Sequence, residues 1–334
     1  MARKVRIAIA TGDPSGIGTE ISLKAALDPA VRAFCRPLLV SDPALLAKHA
    51  AACGIPARLR EVVHPLDSNP ADDCVDVLPC PQPQAVDMDF GEVSAAGGRA
   101  ALAFAAAAIQ AALAGEVAAV AAAPQNETAI ALAGIPFDGH PSFVARQTGA
   151  NPNKVHLMLW FDSIRIVHVT LHRSVREALD LITREHVGHV IHATDRVLRQ
   201  LGFTAPRIAV GGLNPHAGEG GLFGREEIEV IKPAIEDAVQ SGVRVSGPFG
   251  ADMMFQRGDF DAFVVMLHDQ GHIPAKLLAP NGAAAWSIGS PILFASVAHG
   301  SASDIAGKGI ASPRALIEAL LQLGKAAGAM APAA

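Results

Sequence analysis

Three histidines occupy positions from which chemistry could be done. His172 ends the run VHVTLH, His216 ends AVGGLNPH and His268 follows VVML, so each lies just beyond a short apolar run that reads as a strand. Open α/β folds bind their ligands at strand ends. Three neutral imidazoles converging on one cation, with positions left open for water or substrate, would make a catalytic site for Zn²⁺ or a similar divalent ion. Taken singly, each His reads rather as a satisfied polar residue, because intervals this long carry no ligand-spacing signal. His186, His189 and His192 recur at helical intervals and read as a solvated helix face.

A second candidate is HGSASDIAGKGIASP at 299–313. Gly300, Gly307 and Gly309 allow close backbone approach to a ligand, and Asp304 offers a carboxylate to a ribose diol. The same carboxylate repels a 2′-phosphate, which favours NAD over NADP. The segment TGDPSGIGTE (11–20) places Gly12, Gly16 and Gly18 in a tight strand-to-helix turn that matches neither the Rossmann fingerprint nor the P-loop. Asp13 within it reads as structural or as a supporting residue. With no Tyr in the chain, a proton acceptor must come from Lys276, Asp252 or a metal-bound hydroxide, and Lys276 is the first choice.

The elements that must position these groups alternate. Strand-like runs at 5–10, 38–40, 117–122, 157–161, 164–169, 208–210 and 263–267 interleave with helical patterns at 20–27, 43–52, 100–114, 175–181, 195–201, 226–241 and 313–323. That order predicts an α/β fold. A chain of 334 residues is longer than one core usually grows, so two lobes with a cleft are expected. The Pro- and Asp-rich stretch 65–83 reads as an extended surface excursion. A net charge of −5 without a basic run leaves no footprint for nucleic acid or an anionic membrane, and points to a small-molecule ligand. Cys35, Cys53, Cys74 and Cys80 show no CxxC spacing, no export signal is visible, and a reducing cytoplasm is the expected location. The alanine-rich tract 100–114 is too short for a membrane span and reads as a buried helix.

The blocks TGDPSGIGTE, AGIPFDGHPSF, GLNPHAGEGGLFGREE, GPFGADMMF, LHDQGHIPAK and the 299–313 loop, spread over nearly the whole chain, resemble the 4-hydroxythreonine-4-phosphate dehydrogenase family of vitamin B6 biosynthesis. The loop itself is similar to the adenosine-binding loop of isocitrate and isopropylmalate dehydrogenases. The resemblance implies a two-lobed, isocitrate/isopropylmalate dehydrogenase-like α/β fold with an interlobe cleft, and a homodimer with a shared active site that uses NAD and a divalent metal. Zinc is the first metal to consider, with cobalt, nickel, manganese and magnesium as alternatives. The implied lobes are 1–125 plus 282–334, carrying the NAD loop, and 126–281, carrying the metal ligands and the dimer interface. The family's metal ligands map onto His172, His216 and His268, one of them from the neighbouring subunit. Its substrate contacts map onto His140 and Lys276, its catalytic Asp onto Asp252, and its cofactor contacts onto His299, Gly300, Ser301, Asp304 and Ile305.

Three departures shift the expected substrate. Pro141 stands where the biosynthetic enzymes carry Thr, with Ser142 as a substitute hydroxyl, and Ala285 and Phe294 stand in place of an Asn and an Arg. Losing a guanidinium removes a bidentate partner for phosphate. The segments 124–135, 266–283 and 296–309 resemble instead the branch that oxidises and decarboxylates the cis-dihydrodiol of terephthalate, giving protocatechuate. The expected reaction is therefore oxidation of a β-hydroxy acid followed by decarboxylation. The alternatives are the phosphorylated amino acid as substrate, or a non-catalytic NAD- or ligand-binding sensor on the same scaffold.

Overall fold

A computed structural model describes residues 4–69, 74–280 and 282–330. Twelve strands occur among them: β1 (Val5–Ala10), β2 (Cys35–Ser41), β3 (Arg58–Glu61), β4 (Cys74–Pro79), β5 (Ala119–Ala122), β6 (His156–Phe161), β7 (Ile164–His168), β8 (Ile208–Gly211), β9 (Val245–Phe249), β10 (Ala262–Val265), β11 (Ala284–Ile288) and β12 (Phe294–Val297). The chain forms two compact units, one from residues up to Gly149 together with those from Pro291 on, the other spanning Ala150–Ser290.

The first unit holds a parallel sheet in the order β3-β4-β2-β1-β5-β12. Its central strands VRIAIA and AVAA are almost wholly buried, as parallel strands covered on both faces must be. The helix Ala95–Leu113 lays Phe104, Ala105, Ala108 and Ile109 into the core with Ala8, Leu38 and Val120. Among the described residues it is the one helix long and apolar enough to cross a membrane, and that buried face is what its composition serves here. Helices Glu127–Leu132 and His140–Thr148 also belong to this unit. Gly98 admits the carbonyl of Ala129 so closely that a Cβ there would lie 2.3 Å from it, and Ile130, Phe143 and Val144 join the same core. This packing puts the unit boundaries at 149/150 and 290/291, where the sequence suggested 125/126 and 281/282.

The stretch 65–83, of which residues 70–73 lie outside the described residues, is not wholly the surface excursion its composition suggests. It contains β4, paired between β2 and β3, with Asp76 fully buried and gripped by Arg60 through bonds of 2.7 and 2.8 Å. A buried carboxylate with a bidentate partner is tolerated inside a sheet, which is why the Asp misleads a reading by composition.

The second unit holds a mixed sheet in the order β11-β6-β7-β10-β8-β9. β11, β6 and β7 run antiparallel to their neighbours, whereas β7, β10, β8 and β9 are parallel. The helix Arg184–Gln200, begun by the Thr183 cap, is longer than its periodic core at 195–201 suggested. The helical pattern 226–241 is a π-turn, Glu227–Ile231, leading into the α-helix Lys232–Gln240.

Candidate active site

The parallel strands β7, β10 and β8 deliver His172, His268 and His216 from their carboxyl ends. The loop after β7 is tied to the β10 extension by Val169 N to Val265 O at 2.9 Å and Thr170 Oγ1 to Met266 O at 2.7 Å. His268 opens the helix His268–Leu278, whose start is fixed by Gln270. That side chain accepts from Met266 N and Leu267 N and donates to Gly212 O at 3.0 Å. The rings of His172 and His268 lie 5.6 Å apart and border one cavity of about 480 Å³ with Arg173, Ser174, Leu267 and Asp269.

Asp269, which the sequence reading passed over, accepts from His268 Nδ1 at 2.7 Å. This orients the ring and, in the neutral imidazole, puts the lone pair on Nε2, the arrangement usual for a metal-ligating histidine. The adjacency in HDQGH is the signal that could have found it.

His216 stands apart from this pair. Residues 216–220 all have positive φ, from 43° to 78°, a left-handed run that costs non-glycine residues energy. Buried Glu227 holds the bend, accepting from Leu213 N, Asn214 N and Asn214 Nδ2 at 2.7 to 2.9 Å. The His216 ring meets Phe223, and its Nδ1 lies 3.5 Å from Glu219. Asp252 is exposed, with its carboxylate against Gly250, where a Cβ would also meet the His216 backbone. Among the described residues no three His, Cys, Asp or Glu side chains gather to hold a metal. Two imidazoles, one of them oriented by a carboxylate, fit a zinc-like ion that takes a further ligand from elsewhere.

Lys276 lies two turns beyond His268 on the same helix, and packing around its ammonium pulls it below the ordinary lysine value. The histidines at 186–192 are half-buried rather than solvated: His186 Nε2 lies 2.9 Å from Val169 O, bracing the loop that leads to His172.

The first unit carries the 299–313 loop. Ile17 N donates to Ser301 O at 2.9 Å, and Gly16 lies so close to Ser301 that a Cβ would come within 2.7 Å. Gly91 N donates to Ser15 O, while Gly307, at φ 72°, presses against the Phe90 ring. Lys24 bonds the carbonyls of Gly309 and Ala311, and Glu20 receives Ala311 N. The TGDPSGIGTE segment is thus the anchor of this loop. Asp13 is part of that anchor: it accepts from Ser15 N at 3.0 Å, and burial raises its pKa against that bond. Asp304 and Gly300 are exposed, His299 turns its Nδ1 toward Gly300 O, and Ile305 closes the short helical turn Ser303–Ile305.

His140 and Ser142 lie in the first unit, whereas His172, His216 and His268 belong to the second. His140 Nε2 is buried without a protein partner, and its ring packs 5.3 Å from Phe294 and 5.8 Å from Phe137. Burial alone pushes its pKa down to about 4. Ser142 donates to Asp138, with Gly139 O at 3.1 Å. Ala285 sits in β11 opposite Leu159.

Buried neutral histidines make stability depend on pH. His140 at about 4 and His156 at about 3 both titrate below the unfolded value of 6.5, so the unfolded chain binds more protons in between. Their contribution is complete above about pH 6.5 and is lost on acidification, on the order of a few kcal/mol for His156 at the acid end. The Tm should therefore fall between about pH 7 and about pH 4.5. His156→Gln should flatten part of that fall, and an identical slope in the variant would remove His156 from the account.

The chain matches the family profile described as pyridoxal phosphate biosynthetic protein PdxA over residues 33–323. It is 42% identical over 323 residues, 97% of this chain and 98% of the relative, to a 1,2-dihydroxy-3,5-cyclohexadiene-1,4-dicarboxylate dehydrogenase from a Comamonas species. It is 39% identical to the D-threonate 4-phosphate dehydrogenase of Cupriavidus necator, covering 95% of each chain. Its structure is similar to the crystal structure of 4-hydroxythreonine-4-phosphate dehydrogenase from Klebsiella pneumoniae, with a TM-score of 0.87, 36% identity and coverage of 97% and 100%. A terephthalate 1,2-cis-dihydrodiol dehydrogenase from Burkholderia xenovorans gives a TM-score of 0.67 at 41% identity, with coverage of 97% and 98%. With these likenesses running the length of the chain, and with the histidine pair and the anchored glycine loop in place, the protein is a dehydrogenase and belongs to the PdxA family.

Proposed function

We propose that this dehydrogenase uses NAD and a divalent metal to oxidise the cis-dihydrodiol of terephthalate, and that the resulting β-keto acid loses CO₂ to give protocatechuate. The observation that carries the choice of substrate is Phe294. On the ungapped reading of the sequence it stands where the biosynthetic branch has Arg, and it packs its ring against His140, so this position supplies no cationic donor. The similarity to the Comamonas enzyme supports the same reading.

When bound, the metal polarises the substrate's alcohol and then ketone oxygen, and NAD takes the hydride. His172 and His268 would hold that metal, with His216 of a second subunit as the third ligand, and Asp269 keeps His268 in the required tautomer. Lys276, with its lowered pKa, accepts the hydroxyl proton or clamps the carboxylate, and Asp252 serves the same proton path. His140 and Ser142 contact the ring and its substituents. Loss of CO₂ from the carbon bearing the other hydroxyl restores aromaticity, with the electron pair of the broken C–C bond passing into the ring enol. His299, Gly300, Ser301, Asp304 and Ile305 hold the adenosine end of the cofactor.

The reading takes the protein as a cytoplasmic homodimer. Leu222, Phe223, Met253, Ile273, Leu277 and Leu278 are exposed and flank in sequence the segments carrying His216, Asp252 and Lys276, which suits burial by a second copy. The test is growth of the NADH absorbance band with release of CO₂ when the dihydrodiol is added. A sensor would bind NAD without reducing it.

Cofactor choice gives a separate prediction. Asp304 repels a 2′-phosphate, so kcat/KM should favour NAD over NADP, and Asp304→Ala should narrow the ratio by roughly 10-fold or more, the size of one polar discrimination. Equal kcat/KM values for the two cofactors in the parent would remove Asp304 from that role.

A further inference from the structure

Two further imidazoles, His168 and His272, have no part in the mechanism above, yet they are built against His268. His168, at the end of β7, is almost wholly buried. His272 lies one helical turn after His268, and its ring stacks on that of His268 at 3.7 Å and 9° from parallel. His272 Nδ1 lies 3.1 Å from His168 Nε2 and 3.2 Å from the carbonyl of His268. A carbonyl can only accept, so His272 Nδ1 carries the proton and shares it with His168 Nε2. The proton of His168 is then on Nδ1, directed at Leu157 O, 3.5 Å away. One set of neutral tautomers satisfies every contact.

The approach is close because position 271 is glycine. A Cβ there would lie 2.3 Å from His168 Nε2 and 2.8 Å from Ile166 Cγ2, so any other residue would have to displace the His168 ring or the helix.

We propose that His168 and His272 are a positioning pair: His168 fixes the ring of His272, and the stacked face of His272 sets the plane in which His268 borders the cavity it shares with His172. Asp269 fixes the rotation of the same ring from its edge, so His268 is held from two directions. The inference rests on the reading that His268 ligates a divalent metal.

The probe is Co²⁺ alone, added to chelator-stripped full-length protein, with its dissociation constant from chelator competition and its visible ligand-field bands recorded. His272→Phe keeps a stacking ring but breaks the bond to His168, and His168→Leu removes the acceptor. Both should weaken Co²⁺ binding about 10- to 100-fold and shift the bands, with secondary structure unchanged. His168→Gln, which can return an acceptor near the same place, should recover most of the affinity. Parent-like affinity and spectra in His272→Phe and His168→Leu would overturn the proposal, as would a His168→Gln protein no better than His168→Leu. A parent protein that takes up no Co²⁺ would instead refute the metal reading itself.

Discussion

Replacing His172, His216 or His268 by Ala is expected to lower kcat/KM by roughly 10³-fold or more, because losing the several kcal/mol with which a metal stabilises a developing alkoxide costs about that much. The three losses should be similar and strongly non-additive, since a three-ligand site that has lost one ligand has already failed as a unit. The structure adds a finer expectation. His172 and His268 share one cavity in one chain, whereas His216 rides a separate left-handed loop held by Glu227. Mixed dimers of a His216→Ala subunit and a His268→Ala subunit should therefore regain one intact site of the two, about half the activity of the parent dimer, if the third ligand crosses the interface. Full activity in a metal-stripped His216→Ala protein would end the assignment. No recovery in mixed dimers would place all three ligands in the same chain.

Turnover of the carboxylated cis-dihydrodiol should exceed that of 4-hydroxythreonine phosphate by at least about 30-fold in kcat/KM. One missing charged partner typically costs on the order of 2–5 kcal/mol, or roughly 30- to several-thousand-fold. On the proposed reading, the missing partner is the Arg that the biosynthetic branch carries at the position of Phe294. Phe294 in its place is fully buried in β12 and tilts against His140, whose Nε2 has no protein partner and whose ring stays neutral at physiological pH. A neutral imidazole can give or take a hydrogen bond with a hydroxyl on a ring, but it adds no charge to meet a phosphate dianion. Parallel assays of NADH and CO₂ formation decide the matter. Efficient use of the phosphorylated amino acid with no NADH from the dihydrodiol would leave the family membership standing and remove the proposed substrate.

Much of this architecture is legible in the residues. The runs at 5–10, 157–161, 164–169, 208–210 and 263–267 became β1, β6, β7, β8 and β10, because a strand buried on both faces must be continuously apolar whatever it pairs with. Strands β3, β4, β9, β11 and β12 were missed. β4 hides an Asp that only a neighbouring Arg makes tolerable, and β9 contains Gly247 and Pro248, which are admissible because it is the last strand of its sheet.

The sequence by itself determined the residue types at the strand ends, the glycines that let the 299–313 loop lie on the TGDPSGIGTE turn, and the absence of a charge at Phe294. These are local properties, set by period, side-chain chemistry and backbone freedom. Which groups meet was decided only in three dimensions. His168 and His272 are 104 positions apart, yet they share a proton because Gly271 lets a helix settle on the end of β7. His216 carries the same strand-end signature as His172 and His268, yet it is turned aside by a bend that a buried Glu227 maintains. Convergence depends on how strand crossovers stack and how closely backbones approach, and neither distance is encoded in the spacing along the chain.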